Sequence, residues 1–205
     1  MISIISIVKR PLGLYKANCY VLKKGSVSII IDPGFHGEQI KAMVGDTTPL
    51  AVLLTHGHCD HIAALDDICE YYQIPAYLHK RDHELLHVIR RRPSAYKKLI
   101  TTACKELDKG ELVIGPFHFF IHETPGHSAG SVMIEIEGYL FTGDTIFRNQ
   151  IGNFDNYNGN QKELKTTLQR VLNWDDRLCI LPGHSENSVL GEEKKNIKNF
   201  VDKTP

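Results

Sequence analysis

One feature of this sequence limits its possible fold and function more than any other. An apolar segment is followed directly by a cluster of metal-binding side chains. Leu50–Thr55 is typical of a buried β-strand, and four ligand-type side chains follow it within six positions. His56 and His58 are two residues apart, so both imidazoles can project from one face at the end of the strand. Asp60 and His61 follow where the chain turns away. This spacing predicts a metal site at the carboxyl end of a strand.

Three later fragments place a ligand-type side chain beside a glycine, directly after strand-like sequence. They are Thr124-Pro125-Gly126-His127, Thr142-Gly143-Asp144 and Leu181-Pro182-Gly183-His184. Glycine would let the backbone turn closely around an ion. Together with the first cluster these fragments give enough ligands for two ions with three ligands each, if one carboxylate bridges. The candidates are His56, His58, Asp60, His61, His127, Asp144 and His184.

The composition excludes several classes of function. The 205 residues include 24 basic and 24 acidic side chains, a net charge of zero that lacks the basic surface of a nucleic-acid-binding protein. No run approaches the roughly 20 apolar residues needed to cross a bilayer, and Met1–Val8 lacks the features of a signal peptide. Five scattered cysteines without CxxC spacing indicate reduced thiols. We expect a cytoplasmic protein that binds neither nucleic acid nor membrane.

The chain is long enough for one sizeable core, so we expect a single domain over residues 1–205. Strands are predicted at Ile2–Val8, Asn18–Leu22, Ser26–Ile31, Leu50–Thr55, Ala76–Leu78, Leu112–Ile114, Phe117–His122, Ser131–Glu137, Tyr139–Thr142 and Leu178–Leu181. Helices are predicted at Gly37–Val44, Ile62–Tyr72, Lys80–Arg92 and after the capping signal of Asn160 with Glu163, while Ala95–Cys104 fits either a helix or a loop. Two sheets packed face to face between helices would bury every apolar stripe, which predicts an α/β fold.

The ligand pattern resembles that of the metallo-β-lactamase superfamily, in which HxHxDH is followed by separate His, Asp and His positions at later strand ends. Within that superfamily, the segments His127–Ser131, Gly143–Arg148 and Pro182–His184 are similar to the glyoxalase II group, the hydroxyacylglutathione hydrolases and their shorter relatives. The resemblance covers essentially the whole chain. It implies a four-layer αββα sandwich, which agrees with the two-sheet arrangement expected from the sequence pattern.

The resemblance also implies a binuclear centre. It assigns His56, His58 and His127 to one divalent ion, Asp60, His61 and His184 to the other, and Asp144 to a bridging position. We expect zinc, with iron or manganese as alternatives, because histidine and carboxylate ligands suit all three metals. Asp60 and Asp144 are the expected catalytic residues, since two ions sharing Asp144 would make a bridging hydroxide available near neutral pH. The expected activity is the hydrolysis of a small-molecule thioester.

Two departures from the glyoxalase II pattern concern the thiol that the substrate carries. Those enzymes have a helical C-terminal extension that contributes to the glutathione site, whereas this chain ends about twenty residues after His184. An arginine that commonly follows the bridging aspartate is replaced by Asn153. Both departures argue against glutathione, and Arg148, Tyr157 or Lys162 would contact another anionic carrier. The sequence leaves the acyl group and the oligomeric state open.

Alternative functions share part of this pattern. A persulfide dioxygenase would hold one iron at His56, His127 and Asp144 and consume oxygen, and a lactonase would open a cyclic ester. A non-catalytic metal-binding module is a different class, and the intact ligand set argues against it. His83–His87 matches the HExxH motif of zinc proteases, but the glycine and third histidine of the extended motif are missing, so we interpret it as a surface helix.

Two further residues are expected to support the site rather than to react. Alternation predicts that the Cys59 side chain points away from the ligands and fills space behind the metals, with a metal-bound or redox-active thiolate as the alternative. Asp32 ends a strand before Pro33-Gly34. A carboxylate in that place is expected either to form the turn or to orient a metal-bound histidine, rather than to act as a catalyst.

Overall fold

Two six-stranded β-sheets form the centre of the fold in this computed structural model, which describes residues 4–87 and 99–204. The first sheet has the order β1-β2-β3-β4-β5-β6, from strands β1 (Ser6–Leu12), β2 (Ala17–Lys24), β3 (Val27–Ile31), β4 (Thr48–Leu53), β5 (Ala76–Leu78) and β6 (Cys104–Glu106). The first three strands pair antiparallel and β3 to β6 pair parallel. The carboxyl ends of β3 to β6 therefore share one edge.

The second half of the chain adds eight strands. They are β7 (Gly110–Ile114), β8 (Phe117–Glu123), β9 (Val132–Ile136), β10 (Tyr139–Gly143), β11 (Ile146–Phe147), β12 (Gln150–Ile151), β13 (Cys179–Pro182) and β14 (Ser188–Val189). Six of them form the second sheet in the order β14-β13-β10-β9-β8-β7, in which only the β10–β13 pair is parallel. β11 and β12 form a separate hairpin.

Helices cover the outer face of each sheet. They are α1 (Gly37–Val44), α2 (Cys59–Ile62) and α3 (Leu65–Tyr72) on the first sheet, and α4 (Gln161–Val171) and α5 (Leu190–Lys203) on the second. A 3₁₀ helix occupies Lys80–Leu86. No helix in the described ranges is long and apolar enough to cross a bilayer.

Three apolar layers hold these elements together. One lies between α1–α3 and the first sheet, one between the sheets, and one between the second sheet and α4 with α5. In the layer between the sheets, the rings of Tyr20 and Phe141 meet edge to face with centroids 5.1 Å apart. The four-layer αββα sandwich expected from the sequence is confirmed.

Several predicted boundaries shift in the structure. β1 spans Ser6–Leu12 and pairs with β2 across a turn in which Gly13 has a positive φ of 73°, so the strand continues past its predicted end at Val8. Residues 2 and 3 of the predicted strand Ile2–Val8 lie outside the described residues. The helix predicted from Lys80 is a 3₁₀ helix that ends at Leu86, and its predicted end at Arg90–Arg92 lies outside the described residues. The segment predicted as helix or loop ends in strand β6, while its residues 95–98 lie outside the described ranges.

Candidate metal centre

The seven ligand-type residues lie at one edge of the two sheets. The first four follow the carboxyl end of β4. In the second sheet, β8, β10 and β13 run in the same direction, and His127, Asp144 and His184 each follow the carboxyl end of one of these strands. The Val132 N–H donates to the Thr55 carbonyl at 2.9 Å and joins the two sheets near this edge. The fold therefore brings ligands from both sheets to one place.

The first group of ligands consists of His56, His58 and His127. One side-chain nitrogen of each lies within 4.8 Å of the others, and His58 Nδ1 is 2.8 Å from His127 Nε2. The three rings pack edge to face with centroids 4.6 to 4.9 Å apart. Imidazole nitrogens that converge in this way form a site for a divalent ion.

The second group consists of Asp60, His61 and His184. Asp60 Oδ2 is 3.3 Å from His184 Nε2 and 3.6 Å from His61 Nε2. The two imidazole nitrogens are 3.4 Å apart. Ligand atoms held about 2.0 Å from a tetrahedral ion are separated by about 3.3 Å. The second group therefore has the spacing that one tetrahedral ion requires.

Asp144 lies between the two groups. Its Oδ2 is 3.6 Å from His127 Nε2 of the first group and 3.4 Å from His184 Nε2 of the second. Its Oδ1 is 3.3 Å from His61 Nε2. One carboxylate therefore reaches ligands of both groups.

Several buried polar atoms of this cluster lack a hydrogen-bond partner among the described residues. They are His56 Nε2, His58 Nε2 and Asp144 Oδ1. A buried polar atom without a partner is destabilising in a folded protein. Their presence in one cluster of histidine and carboxylate side chains fits a site for divalent cations.

Asp32 orients two of the histidines. Its Oδ2 accepts hydrogen bonds from Thr55 Oγ1 at 2.6 Å and from His61 Nδ1 at 3.0 Å. Because the Thr55 hydroxyl donates to Asp32, its oxygen accepts the Nδ1–H of His56, at 3.1 Å. Both imidazoles thus carry a proton on Nδ1 and direct Nε2 into the site. Asp32 occupies the place that the sequence suggested for a supporting carboxylate.

Backbone carbonyls orient two more histidines in the same way. His127 Nδ1 donates to the Asn153 carbonyl at 2.8 Å, and His184 Nδ1 donates to the Tyr15 carbonyl at 3.0 Å. The loop that carries His184 is itself held by the first sheet, since Asn18 Nδ2 donates to the carbonyls of Pro182 and Ser185, both at 2.9 Å. Each Nε2 is therefore fixed toward the ligand cluster before any ion binds.

Two histidines of the first group, His56 and His58, are held in the neutral form. Burial, together with the neighbouring imidazoles His61 and His58, lowers the pKa of His56 well below its ordinary value. Burial and the adjacent His127 lower the pKa of His58 to about 3. Neutral imidazoles present lone pairs that a metal ion can accept without displacing a proton.

The second group is held in its charged form. Burial alone would lower the pKa of His61, but the charges of Asp144 and Asp60 outweigh it and hold that pKa well above its ordinary value. Hydrogen bonds to the same carboxylates raise the pKa of His184 to about 9 against the effect of burial. Burial would raise the pKa of both carboxyls, but His61 and His184 lower it. Without metal, two imidazolium groups here face two carboxylates.

Metal binding to the second group is therefore expected to release more protons than binding to the first. An ion at the second group must displace the protons of His61 and His184, so its affinity should rise with pH up to about 9. At the first group, metal binding does not require His58 to lose a proton above about pH 3, because its pKa is about 3. Calorimetry at pH 7 in buffers of different ionisation enthalpy should show about two protons released with the ion at the second group and fewer with the ion at the first.

Equal proton release by both ions would contradict this assignment of charge.

The same pKa shifts affect the stability of the metal-free protein. Because the pKa of His184 is raised from 6.5 to about 9, its contribution to folding is fully present below pH 6.5 and is lost as the pH rises through about 9. Adding metal should reverse this loss.

A cavity of about 790 Å³ opens beside the two groups. Its lining includes Arg148 and Tyr157, which the sequence suggested as substrate contacts, and also Asn153 and Phe147. Arg148 and Tyr157 are exposed side chains, and Tyr157 Oη is 3.5 Å from Glu84 Oε2. The cavity gives a small molecule access to the ligand cluster.

Cys59 also lines this cavity and is only half-buried. The residue therefore borders the cavity, and the predicted direction of its thiol stays a prediction. Strand alternation does not apply at this position, because β4 ends at Leu53 and Cys59 is the first residue of helix α2.

The HExxH segment lies apart from the metal groups. His83 Nε2 contacts the Leu78 carbonyl at 3.1 Å, and none of the described residues of the segment belongs to a cluster that could hold an ion. A 3₁₀ helix has three residues per turn, so His83 and His87 do not share a face. The interpretation that this segment is not a zinc site agrees with this geometry. Asp82, the buried residue before this segment, was not predicted, because no ligand spacing or neighbouring glycine marks it.

Comparisons with known proteins agree with this geometry. Residues 12–184 match the family model described as the metallo-beta-lactamase superfamily. The chain is 37 % identical over 199 residues to the probable metallo-hydrolase YqgX of Bacillus subtilis, covering 92 % of this chain and 94 % of that protein. It is 26 % identical over 198 residues to the hydroxyacylglutathione hydrolase GloC of Haemophilus influenzae, covering 91 % of this chain and 93 % of that protein.

Two solved structures share the fold along nearly the whole chain. The BLEG-1 B3 metallo-beta-lactamase superposes with a TM-score of 0.83 at 32 % identity, covering 98 % of both chains. TTHA1623, solved in a di-iron-bound form, superposes with a TM-score of 0.78 at 31 % identity, covering 89 % of this chain and 94 % of that one. With its αββα fold and its two converging ligand groups, the chain belongs to the metallo-beta-lactamase superfamily and is a metal-dependent hydrolase.

Proposed function

We propose that this protein is a thioester hydrolase of the glyoxalase II type with two divalent ions, zinc in the first instance. The observation that carries the proposal is the position of Asp144, whose Oδ2 lies 3.6 Å from His127 Nε2 and 3.4 Å from His184 Nε2. A carboxylate within reach of both ligand groups supports a bridging role. Divalent ions bound there would supply an acidified water as nucleophile and would polarise the substrate carbonyl.

The residues of the chain prepare the site for that chemistry. Asp32 and two backbone carbonyls fix the imidazoles, so little reorganisation is needed when substrate arrives. Asp60 and Asp144 are partly buried beside histidines and are held as carboxylates, because His61 and His184 lower their pKa. We propose these two carboxylates as the catalytic residues, which accept hydrogen bonds from the attacking water and keep it oriented.

The lining of the cavity favours a thioester over an amide or a lactam. An amine leaving group must be protonated as it departs, whereas a thiol with a pKa near 8.5 leaves as thiolate. The described imidazoles that line the cavity are His58, His127 and His184, all of which belong to the ligand groups. No further imidazole in the described lining is available as a general acid, which suits a leaving group that needs none.

The thiol carrier is proposed to be anionic and to lie along Arg148 and Tyr157. Asn153, in place of the arginine common in glyoxalase II enzymes, contributes its carbonyl to the orientation of His127. Glutathione remains a candidate thiol, because the Haemophilus influenzae protein named hydroxyacylglutathione hydrolase matches this chain over 93 % of its own length.

Arg148→Ala is expected to raise KM for thioesters of glutathione about two- to fivefold with little change in kcat, because an exposed ion pair contributes about 0.2 to 1 kcal/mol. Steady-state kinetics of the same variant with a thioester of an uncharged thiol should show no change in KM. Lys162→Ala removes the same charge from an exposed residue outside the cavity lining and serves as the matched control. An equal effect of both substitutions would exclude a specific contact with Arg148.

The test of the proposed function is a substrate panel combined with elemental analysis of protein purified without added metal. We expect two ions per chain and release of free thiol from thioesters. Turnover of lactones or lactams alone would overturn the proposal, and oxygen consumption with a persulfide at one iron per chain would identify a dioxygenase. No turnover with any metal would favour a binding module.

A further inference from the structure

Asp82 is a buried carboxylate that accepts hydrogen bonds from three separate segments around the first ligand group. It lies in the 3₁₀ helix Lys80–Leu86, its side chain is fully buried, and its partners are neutral donors. Its Oδ2 accepts from the Gly57 N–H at 2.9 Å and from Ser128 Oγ at 2.6 Å. Its Oδ1 accepts from the Gly130 N–H at 2.7 Å and from Asn158 Nδ2 at 3.0 Å.

Two of the four donors, Gly57 and Ser128, are next in sequence to ligands of the same ion site. Gly57 lies between His56 and His58, and Ser128 directly follows His127. All three members of the first group are therefore next in sequence to a residue that Asp82 holds. The second group has no such tie to Asp82 among the described contacts, since its supports are Asp32 and the Tyr15 carbonyl.

The third segment connects this carboxylate to the cavity. Asn158 lies in the loop after β12, and in the same loop the Asn153 carbonyl accepts the Nδ1–H of His127 at 2.8 Å. Asn153 and Tyr157 of this loop line the cavity. Asp82 thus joins the backbone of the first ligand group to a wall of the substrate site.

The backbones of Gly57 and Gly130 lie too close to Asp82 and Leu85 to accommodate a side chain. A Cβ added at Gly130 would lie 2.8 Å from Asp82 Cγ, and one added at Gly57 would lie 3.0 Å from the Asp82 carbonyl and 2.9 Å from Leu85 Cβ. All three distances are shorter than ordinary van der Waals contacts. Glycine at these two positions lets the two ligand loops approach the carboxylate closely.

We infer that Asp82 is a positioning residue that preforms the His56, His58 and His127 site and couples it to the 153–159 loop. A buried carboxylate that accepts four hydrogen bonds fixes its donors more strongly than neutral acceptors can. Removing its charge would let the Gly57 and Ser128 backbones separate, and the first ion would then have to organise its own ligands. The inference concerns metal binding and is independent of whether the substrate is a thioester.

The test compares Asp82→Asn with Asp66→Asn. Asp66 is the matched control, because it is also a buried carboxylate and holds the backbone and hydroxyl groups of Thr101 and Thr102 at 2.6 to 3.1 Å, apart from the ligand groups. We expect both variants to melt at lower temperature. Only Asp82→Asn should weaken the first ion, by about 10- to 100-fold, the range typical of partners that orient ligands. Chelator competition and the visible spectrum of the cobalt-substituted protein measure this directly.

Amide hydrogen exchange of the metal-free proteins gives a second readout that needs neither ion nor substrate. Exchange at Gly57 and Gly130 should accelerate in Asp82→Asn and remain unchanged in Asp66→Asn. If Asp82→Asn does not fold, Ser128→Ala removes one donor and should give a smaller loss of first-ion affinity. Wild-type affinity in the folded Asp82→Asn variant, or in Ser128→Ala if that is the variant measured, would overturn the inference. An equal loss in Asp66→Asn would do the same.

Discussion

Replacing Asp144 with alanine should leave a folded protein that binds fewer than two ions and hydrolyses no substrate measurably. The carboxylate is the described side chain that reaches both ligand groups, through Oδ2 contacts of 3.6 Å to His127 Nε2 and 3.4 Å to His184 Nε2. Its removal also leaves His61 and His184 without one of the charges that raise their pKa. We expect activity to fall by more than about 100-fold, beyond the effect of residues that only orient ligands.

Asp155→Ala is the control for this substitution, because Asp155 is also a carboxylate of the cavity lining but is exposed and belongs to neither ligand group. It should keep two ions and most of the activity. Elemental analysis measures the number of bound ions in both variants, and steady-state kinetics measures their activity. Full activity of Asp144→Ala without bound metal would refute a metal-dependent mechanism.

The second large effect is expected from a substitution at a glycine that is not itself a metal ligand. In Gly183→Ala the added methyl group would lie 2.1 Å from Asp144 Oδ1 and 2.8 Å from His61 Cε1. The His61 side chain is buried and that of Asp144 is only 10 % exposed, so we expect both to be displaced from their metal-binding positions. We expect metal affinity to fall by about 10- to 100-fold, in the range seen when ligand orientation is lost.

Gly37→Ala provides the comparison for this substitution. Its added methyl group would meet Asp67 Cβ at an ordinary contact distance of 3.6 Å, and Gly37 lies at the start of α1. That variant should bind metal as the wild type does. If Gly183→Ala also binds both ions with unchanged affinity, the close packing between the His184 loop and Asp144 is not required for the site.

Much of the site could be predicted because its ligands follow regular elements. His127, Asp144 and His184 each come after strand-like sequence, and such sequence is readable from the alternation of apolar residues. The bounds of α1 and β5 were predicted residue for residue, at Gly37–Val44 and Ala76–Leu78. Local pattern and tertiary structure agree in these places.

The parts that were missed depend on contacts distant in sequence. β11, β12 and β14 have two residues each, too few to show an alternation. Helix α5 was not predicted, although Leu190, Ile197 and Val201 form its buried face. Asp82 carries no motif, since its importance arises from donors 25 to 76 residues away. Such a convergence exists only in the folded chain.

The position of the ligands on both sheets makes metal supply a determinant of how long the protein survives. His56 to His61 belong to the first half of the chain, while His127, Asp144 and His184 belong to the second. An ion held by both halves binds only the folded chain, and at a free concentration 100 times its Kd it adds about 2.7 kcal/mol to the free energy of unfolding. Metal starvation would therefore lower the amount of the enzyme as well as its turnover, because the unfolded chains that it produces are open to proteolysis.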